Sequence, residues 1–206
     1  LIDTLIGCLI GFAVGIVQTI PVDKSDNPVK RVILGFIKLI LNVYVEVFRG
    51  TPMMVQAMFI YYGSSVLFDI NMSPMFAAYF IVSINTGAYM AEIIRGGIEA
   101  VDKGQMEAAR SLGLSYGKAM RKVILPQAFR TMLPTIINQF IISLKDTSLI
   151  SVIGPRELTQ NSKIIAANAS SMVMPIYLSV AIFYLVICTI LSRVAKYVER
   201  RVSYGK

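Results

Sequence analysis

The chain of 206 residues contains no histidine and only two cysteines, which removes several kinds of chemistry. Without histidine there is no imidazole for general acid–base catalysis or for binding zinc. Cys8 and Cys188 lie far apart in apolar segments, so we expect them to be small packing residues rather than a disulfide or metal ligands. No nucleophile–base set is visible either. The sequence therefore predicts a protein that is not an enzyme and has no metal site.

Charged residues are also scarce, at 16% of the chain, whereas hydrophobic residues make up 55%. The mean hydropathy of +0.66 is too high for an ordinary water-soluble domain. The apolar residues occur in stretches of roughly 20, the length that a helix needs to cross a bilayer. The sequence therefore predicts an all-α integral membrane bundle of about five transmembrane helices, forming a single domain over residues 1–206.

The five predicted membrane-crossing regions are separated by polar segments. They are Leu1–Ile20, Val29–Tyr62, Pro74–Ile94, Pro126–Ile153 and Met172–Leu191. We expect the second to break at Arg49, Gly50, Thr51 and Pro52, because proline lacks an amide donor and the break leaves backbone carbonyls free. In the first, Gly7, Gly11 and Gly15 share one helix face, which favours close packing inside the chain over a dimer seam.

The net charge of +8 comes from basic residues beside the ends of the predicted spans. They cluster in Lys24–Arg31, Lys103–Arg130 and Arg193–Lys206, which five spans place on one side of the membrane. By the positive-inside rule that side is cytoplasmic, so the N-terminus is expected outside and the C-terminus inside. This distribution favours membrane lipid over nucleic acid as the partner, with Arg200 and Arg201 as anchors for anionic lipid.

A polar segment at about residues 96–125 separates the third and fourth spans. It contains Glu107-Ala108-Ala109-Arg110-Ser111-Leu112-Gly113, followed by Val123-Ile124-Leu125-Pro126. Alanines favour a slim helix and Gly113 a turn that ends it, and Glu107 can pair with Arg110 or with charges on a partner. We therefore interpret this segment as a docking surface.

The spacing of this segment resembles the signature loop of ABC-importer permeases. Six of the seven fixed positions match, and Val123 stands where the family usually has isoleucine. The resemblance implies the type I permease fold and a cytoplasmic loop that couples to an ATP-hydrolysing subunit. The coupling residues would be Glu107, Ala108, Ala109, Arg110, Leu112 and Gly113. This chain has no phosphate-binding Gly-x-x-x-x-Gly-Lys-Ser/Thr loop, so ATP and Mg²⁺ would be bound by the partner ATPase.

Three further motifs look like those of polar amino-acid uptake permeases. They are Glu46–Pro52 with Gln56, Ala91–Ile98, and Lys145–Leu149. The resemblance implies a bacterial cytoplasmic-membrane importer built from two permease subunits, identical or paired with a relative, and an ATPase dimer. An extracytoplasmic amino-acid-binding protein, separate or fused, would deliver the substrate. Glutamine, glutamate, arginine and histidine all remain open as substrates.

Two adjacent charges in the fourth span suggest a substrate path. A charge within a span costs at least ~2.5 kcal/mol, so Lys145 and Asp146 should face a partner or a ligand. A zwitterionic amino acid would use both, its carboxylate meeting Lys145 or the backbone freed near Pro52, with Asn138, Gln139 and Thr147 adding hydrogen bonds. The alternative is that the two charges pair with each other or lie at the membrane interface.

Two expectations complete the sequence-based interpretation. Glu46 and Arg49 are three residues apart and are expected to pair across one helical turn, in a structural role. The alternative function is an ion-coupled secondary carrier or a channel-like protein, although no inverted repeat is visible in the sequence. Copurification of an ATPase would distinguish the importer from that alternative.

Overall fold

The computed structural model describes residues 2–22 and 27–203, and they are almost entirely helical. The nine α-helices within these ranges are α1 (Ile2–Thr19), α2 (Pro28–Gly50), α3 (Met53–Phe68), α4 (Pro74–Glu99), α5 (Lys103–Ser111), α6 (Tyr116–Ala119), α7 (Leu125–Asp146), α8 (Leu158–Asn168) and α9 (Val173–Ser203). No strand occurs in these ranges, so the prediction of an all-α fold is confirmed. Leu1 of the predicted first span, residues 24–26 of the basic cluster Lys24–Arg31 and the last three residues of the basic tail lie outside the described residues.

Four helical segments of the described part of the chain are long and apolar enough to cross a membrane. They are Ile2–Thr19, Pro74–Glu99, Tyr116–Ile153 and Val173–Arg201. The predicted second span is instead divided between α2 and the shorter apolar helix α3, which has 16 residues. The division falls at Thr51, whose backbone is extended, and at Pro52, which cannot donate a helical hydrogen bond. The third span continues five residues further than expected, to Glu99.

Helix α1 packs along α4 through its three glycines. A Cβ atom on Gly7 would lie 2.8 Å from the carbonyl oxygen of Ser83, and one on Gly15 would lie 2.7 Å from that of Ala91. These distances are too short for any side chain, so the two backbones touch through this face. The prediction that the glycine stripe serves packing inside the chain is confirmed.

The small polar residues of α4 are buried between neighbouring helices. Ser83 donates to the carbonyl oxygen of Asp3 on α1 at 3.1 Å, and the hydroxyls of Thr86 and Ser143 lie 3.1 Å apart between α4 and α7. Each bond satisfies a polar group that would otherwise face the apolar interior or lipid. Helix α4 is thus the centre of the bundle, with α1, α2, α3 and α7 packed around it.

Candidate coupling surface and membrane cavities

The predicted docking segment forms a short helix with both ends capped. Asp102 begins α5 by accepting a hydrogen bond from the Gly104 amide at 2.6 Å. Beyond the other end, Gly113 has a φ of +81°, which only glycine adopts without strain. The amide of Gly113 bonds the carbonyl of Arg110 at 3.0 Å, and that of Leu114 bonds the carbonyl of Ala109 at 3.2 Å. This pair of bonds is the Schellman motif, which fixes the direction of the chain after the helix.

The inner face of the segment is attached to the ends of three long helices. Ala109 is buried, and Met106 and Tyr116 pack on an apolar cluster formed by the end of α4 and the start of α7. The hydroxyl of Tyr116 also donates to the carbonyl oxygen of Thr19 at the end of α1, at 3.3 Å. A force applied to α5 would reach α4 and α7 through the cluster on which Met106 packs, and α1 through Tyr116 of the following helix α6.

The outer face presents the other predicted coupling residues to solvent. Glu107, Ala108, Arg110, Leu112 and Gly113 are all exposed. Leu112 is 84% exposed, although it follows a polar helix that is too short to span a bilayer. An exposed leucine beside small alanines suits a protein contact. Glu107 and Arg110 form no ion pair within 4 Å in the described part of the chain, so both charges are available to a partner.

The segment between α6 and α7 contains a feature that the sequence reasoning missed. Residues Met120–Ile124 form a turn of π-helix, in which the amide of Leu125 bonds the carbonyl of Met120. The following residue, Pro126, lacks an amide and cannot continue the ordinary α-helical ladder, so the wider turn accommodates it. In the sequence, this irregularity was indicated only by Pro126, which follows a run of basic and apolar residues.

The structure separates the five residues of the predicted substrate path. Asn138 and Lys145 line a cavity of about 370 Å³ between α7 and α9, whereas Gln139 is buried. Thr147 donates to the carbonyl oxygen of Leu144 at 2.7 Å. Asp146 is partly buried, and no hydrogen bond or ion pair to it is found among the described residues. No ion pair within 4 Å joins Lys145 to Asp146 in the described part of the chain, although Lys145 is the nearby cation that acts electrostatically on Asp146.

The carbonyl groups freed by the break at Thr51 and Pro52 are already bonded. The side-chain amide of Gln56 donates to the carbonyl oxygens of Phe48 and Thr51, each at 2.9 Å, and Asn85 on α4 donates to the Gln56 oxygen at 2.9 Å. The expectation that this backbone would meet a substrate carboxylate was wrong. Carbonyl oxygens are acceptors, and Gln56 supplies the donors that they need.

A charge network lies where α2 approaches the end of α4. Arg49 pairs with Glu92 at 3.5 Å, and Arg95 pairs with Glu92 at 2.7 Å and with Glu99 at 2.6 Å. The expected pairing of Glu46 with Arg49 was wrong, because Arg49 reaches across to α4 and lies over the Tyr89 ring. The network borders a cavity of about 430 Å³ that Glu46 also lines. In the sequence, the ion pairs of Arg95 could have been predicted from its spacing of three residues from Glu92 and four from Glu99.

Comparisons with known proteins identify the family. The family described as the binding-protein-dependent transport system inner membrane component matches residues 29–204. The chain belongs to this family. It is a permease subunit of an ABC importer and a membrane protein, as the resemblance of its loop implied.

Individual relatives share most of the chain. The glutamine transport system permease protein GlnP of Escherichia coli (strain K12) is 49% identical over 163 residues, covering 78% of this chain and 74% of the relative. The arginine transport system permease protein ArtQ of Bacillus subtilis (strain 168) is 36% identical over 199 residues, covering 97% and 87%.

Solved structures agree with the fold. A crystal structure of an amino acid ABC transporter with histidines matches with a TM-score of 0.84 and 38% identity, over 97% of this chain and 86% of that one. An inward-facing structure of the MetNI methionine ABC transporter matches with a TM-score of 0.75 and 17% identity, over 98% and 89%. The predicted type I importer permease fold is therefore confirmed.

Proposed function

We propose that this permease moves a polar amino acid across the bacterial cytoplasmic membrane, with ATP and Mg²⁺ bound by a separate ATPase. The names of its relatives support the substrate class, since they transport glutamine, arginine or cystine. The observation that carries the coupling role is the capped segment, which exposes Leu112 on one face while Met106 packs on the ends of α4 and α7 and Tyr116 of α6 bonds the end of α1.

The proposed assembly contains two permease subunits, identical or related, two ATPase subunits and an extracytoplasmic binding protein. ATP binding would close the ATPase pair and draw the two α5 helices together. Because the α5–α6 segment is attached to α1, α4 and α7 through Met106 and Tyr116, this motion would tilt those helices and change the side to which the path opens. Hydrolysis of ATP would then reset the assembly.

The coupling role can be tested by changing the outer face of α5 in the whole complex. Leu112→Ala, Glu107→Lys and Gly113→Val should each reduce ATPase association and stimulated ATP hydrolysis, while membrane insertion stays normal. Val66→Ala is the matched control, because Val66 is 82% exposed but lies on α3, far along the chain from the loop. Unchanged uptake and hydrolysis in the three loop variants would contradict the role. Transport by the purified chain without any ATPase would favour the ion-coupled carrier instead.

The proposed orientation places α5 in the cytoplasm, the C-terminus inside and the N-terminus outside. Support comes from the basic residues near α5 and at the end of α9. In a background without Cys8 and Cys188, a membrane-impermeant thiol reagent added outside should label Asn161→Cys but not Ser115→Cys. Both positions are exposed in the structure, so accessibility does not bias the comparison. The opposite labelling pattern would reverse the orientation.

The proposed substrate path passes Asp146, with Asn138, Gln139, Lys145 and Thr147 as the other predicted path residues. The support is that Asp146 is a partly buried carboxylate near the end of a span without an ion pair among the described residues. An amino acid's ammonium group would add a direct ion pair to the electrostatic attraction that Asp146 already receives from Lys145. Asp146→Asn should therefore lower uptake per folded complex in liposomes more than it lowers expression. Normal uptake with only reduced thermal stability would assign Asp146 a structural role.

A further inference from the structure

Two adjacent cavities on the surface of α9 bring several cations together. One has a volume of about 370 Å³ and is lined by Lys145 of α7 and by Arg193 and Lys196 of α9. The other, of about 360 Å³, shares Arg193 and Lys196 and continues to Tyr197 and Arg200. Among the described residues, no carboxylate lines either cavity. Lys145 lines the first cavity and Arg200 the second, so four positive charges lie along one continuous surface beside a membrane span.

Such a cluster of exposed cations attracts an anion. Like charges repel, and a lysine within a span needs a counter-charge or water. Asn138, Thr189 and Ser192 also line the first cavity and can donate hydrogen bonds to an anion's oxygens. The chemistry of the lining therefore fits a phosphate group better than a cation or an apolar molecule.

The surface of α9 next to the cations shows what kind of anion would fit. Ile182, Val186 and Ile190 precede Arg193 by eleven, seven and three residues, which places them on nearly the same helix face. They are 50%, 49% and 57% exposed. Within the described residues, no residue in the most apolar 18-residue stretch of α9 is buried. An apolar strip thus leads directly into the basic cavities.

We propose that the α7–α9 surface binds an anionic phospholipid. Its phosphate lies among Lys145, Arg193, Lys196 and Arg200, and one acyl chain runs along Ile182, Val186 and Ile190. The apolar strip favours a lipid over free phosphate or a soluble anion, because only a lipid would occupy both parts. This site is independent of the coupling role of α5, but it shares Asn138 and Lys145 with the proposed substrate path, so the test changes only residues of α9 that lie outside that path.

The test is native mass spectrometry of the whole transporter, extracted from vesicles containing equal amounts of phosphatidylglycerol and phosphatidylcholine. The wild-type complex should retain phosphatidylglycerol preferentially. The double variant Arg193→Gln/Lys196→Gln should retain roughly 30-fold less, since each interfacial basic residue contributes roughly a factor of five. The matched control Lys122→Gln/Arg130→Gln removes the same charge from exposed residues that line neither cavity, and it should retain the lipid.

Three results would overturn the proposal. One is equal lipid retention by the two double variants, and another is equal retention of both lipids by the wild-type complex. The third is displacement of phosphatidylglycerol by millimolar inorganic phosphate, which would indicate an anion site without a lipid tail. Size-exclusion profiles and melting temperatures of the complexes would show that both double variants are folded, so that a loss of lipid reports on the site itself.

Discussion

Helices α4 and α9 are both long enough to cross a membrane, yet the less apolar of the two is the one that is buried. The most apolar window of α4 has a mean hydropathy of 1.3 and is 67% buried, whereas that of α9 has 2.3 and is 0% buried. In a water-soluble protein the order would be reversed. In a bilayer, lipid accepts apolar side chains, so helices pack through small residues and through polar groups that bond each other.

The largest expected effect comes from filling the space between α1 and α4. A Cβ on Gly11 would lie 2.7 Å from the carbonyl oxygen of Gly87, whereas one on Gly35 of α2 would meet nothing within 4 Å. Gly11→Leu should leave no folded complex, because its loss of folding free energy should exceed the ~3 kcal/mol that milder overpacking costs. Gly35→Leu should leave stability unchanged or raised by about 1 kcal/mol. Fluorescence-detected size exclusion shows whether the Gly11→Leu and Gly35→Leu complexes are folded. A folded Gly11→Leu complex would contradict the close packing of α1 on α4.

The next effect tests the buried side of α4 with a cavity. Ile81 is fully buried against α3 and the 3₁₀ helix Thr147–Ile153. Ile81→Ala should lower the free energy of unfolding by about 3 kcal/mol, and Ile81→Val by about 1 kcal/mol, because the lost contacts and the remaining cavity scale with the volume removed. Unfolding by SDS titration in bicelles gives both values. Equal stability of the two variants would show that the neighbouring helices collapse onto the site.

A smaller effect is expected at the polar junction of α2, α3 and α4. Gln56→Ala leaves the Thr51 carbonyl without this donor and the Phe48 carbonyl with only the longer 3.4 Å bond from Asn85, and we expect a loss of about 2 kcal/mol. Gln127→Ala is the control, because Gln127 is exposed and water can replace its bond to Gln105. The same SDS titration applies. A Gln56→Ala variant as stable as Gln127→Ala would mean that water already reaches the helix break.

The sequence could predict these contrasts only in part. The glycine stripe, the break at Pro52 and the turn at Gly113 depend on local chemistry, so their positions could be read from the residues. The partners of Arg49 and Gln56 depend on which helices meet, and no pattern within one helix reports that. Similarly, Lys145 and Asp146 are neighbours in sequence, but Lys145 lines the cavity beside α9 while Asp146 does not. The charges of the two residues could not show that only one of their side chains lines the cavity.

The smallest effect should be on the outward side of α9. Leu185 is 66% exposed, and α9 buries none of its most apolar window in the described part of the chain. If lipid surrounds this residue, Leu185→Ala exchanges one apolar surface for another, and stability should change by less than about 0.5 kcal/mol. The SDS titration used for Ile81→Ala allows a direct comparison of the two helices. A loss above about 1 kcal/mol in the assembled transporter, but not in the isolated chain, would instead place Leu185 against a second protein subunit.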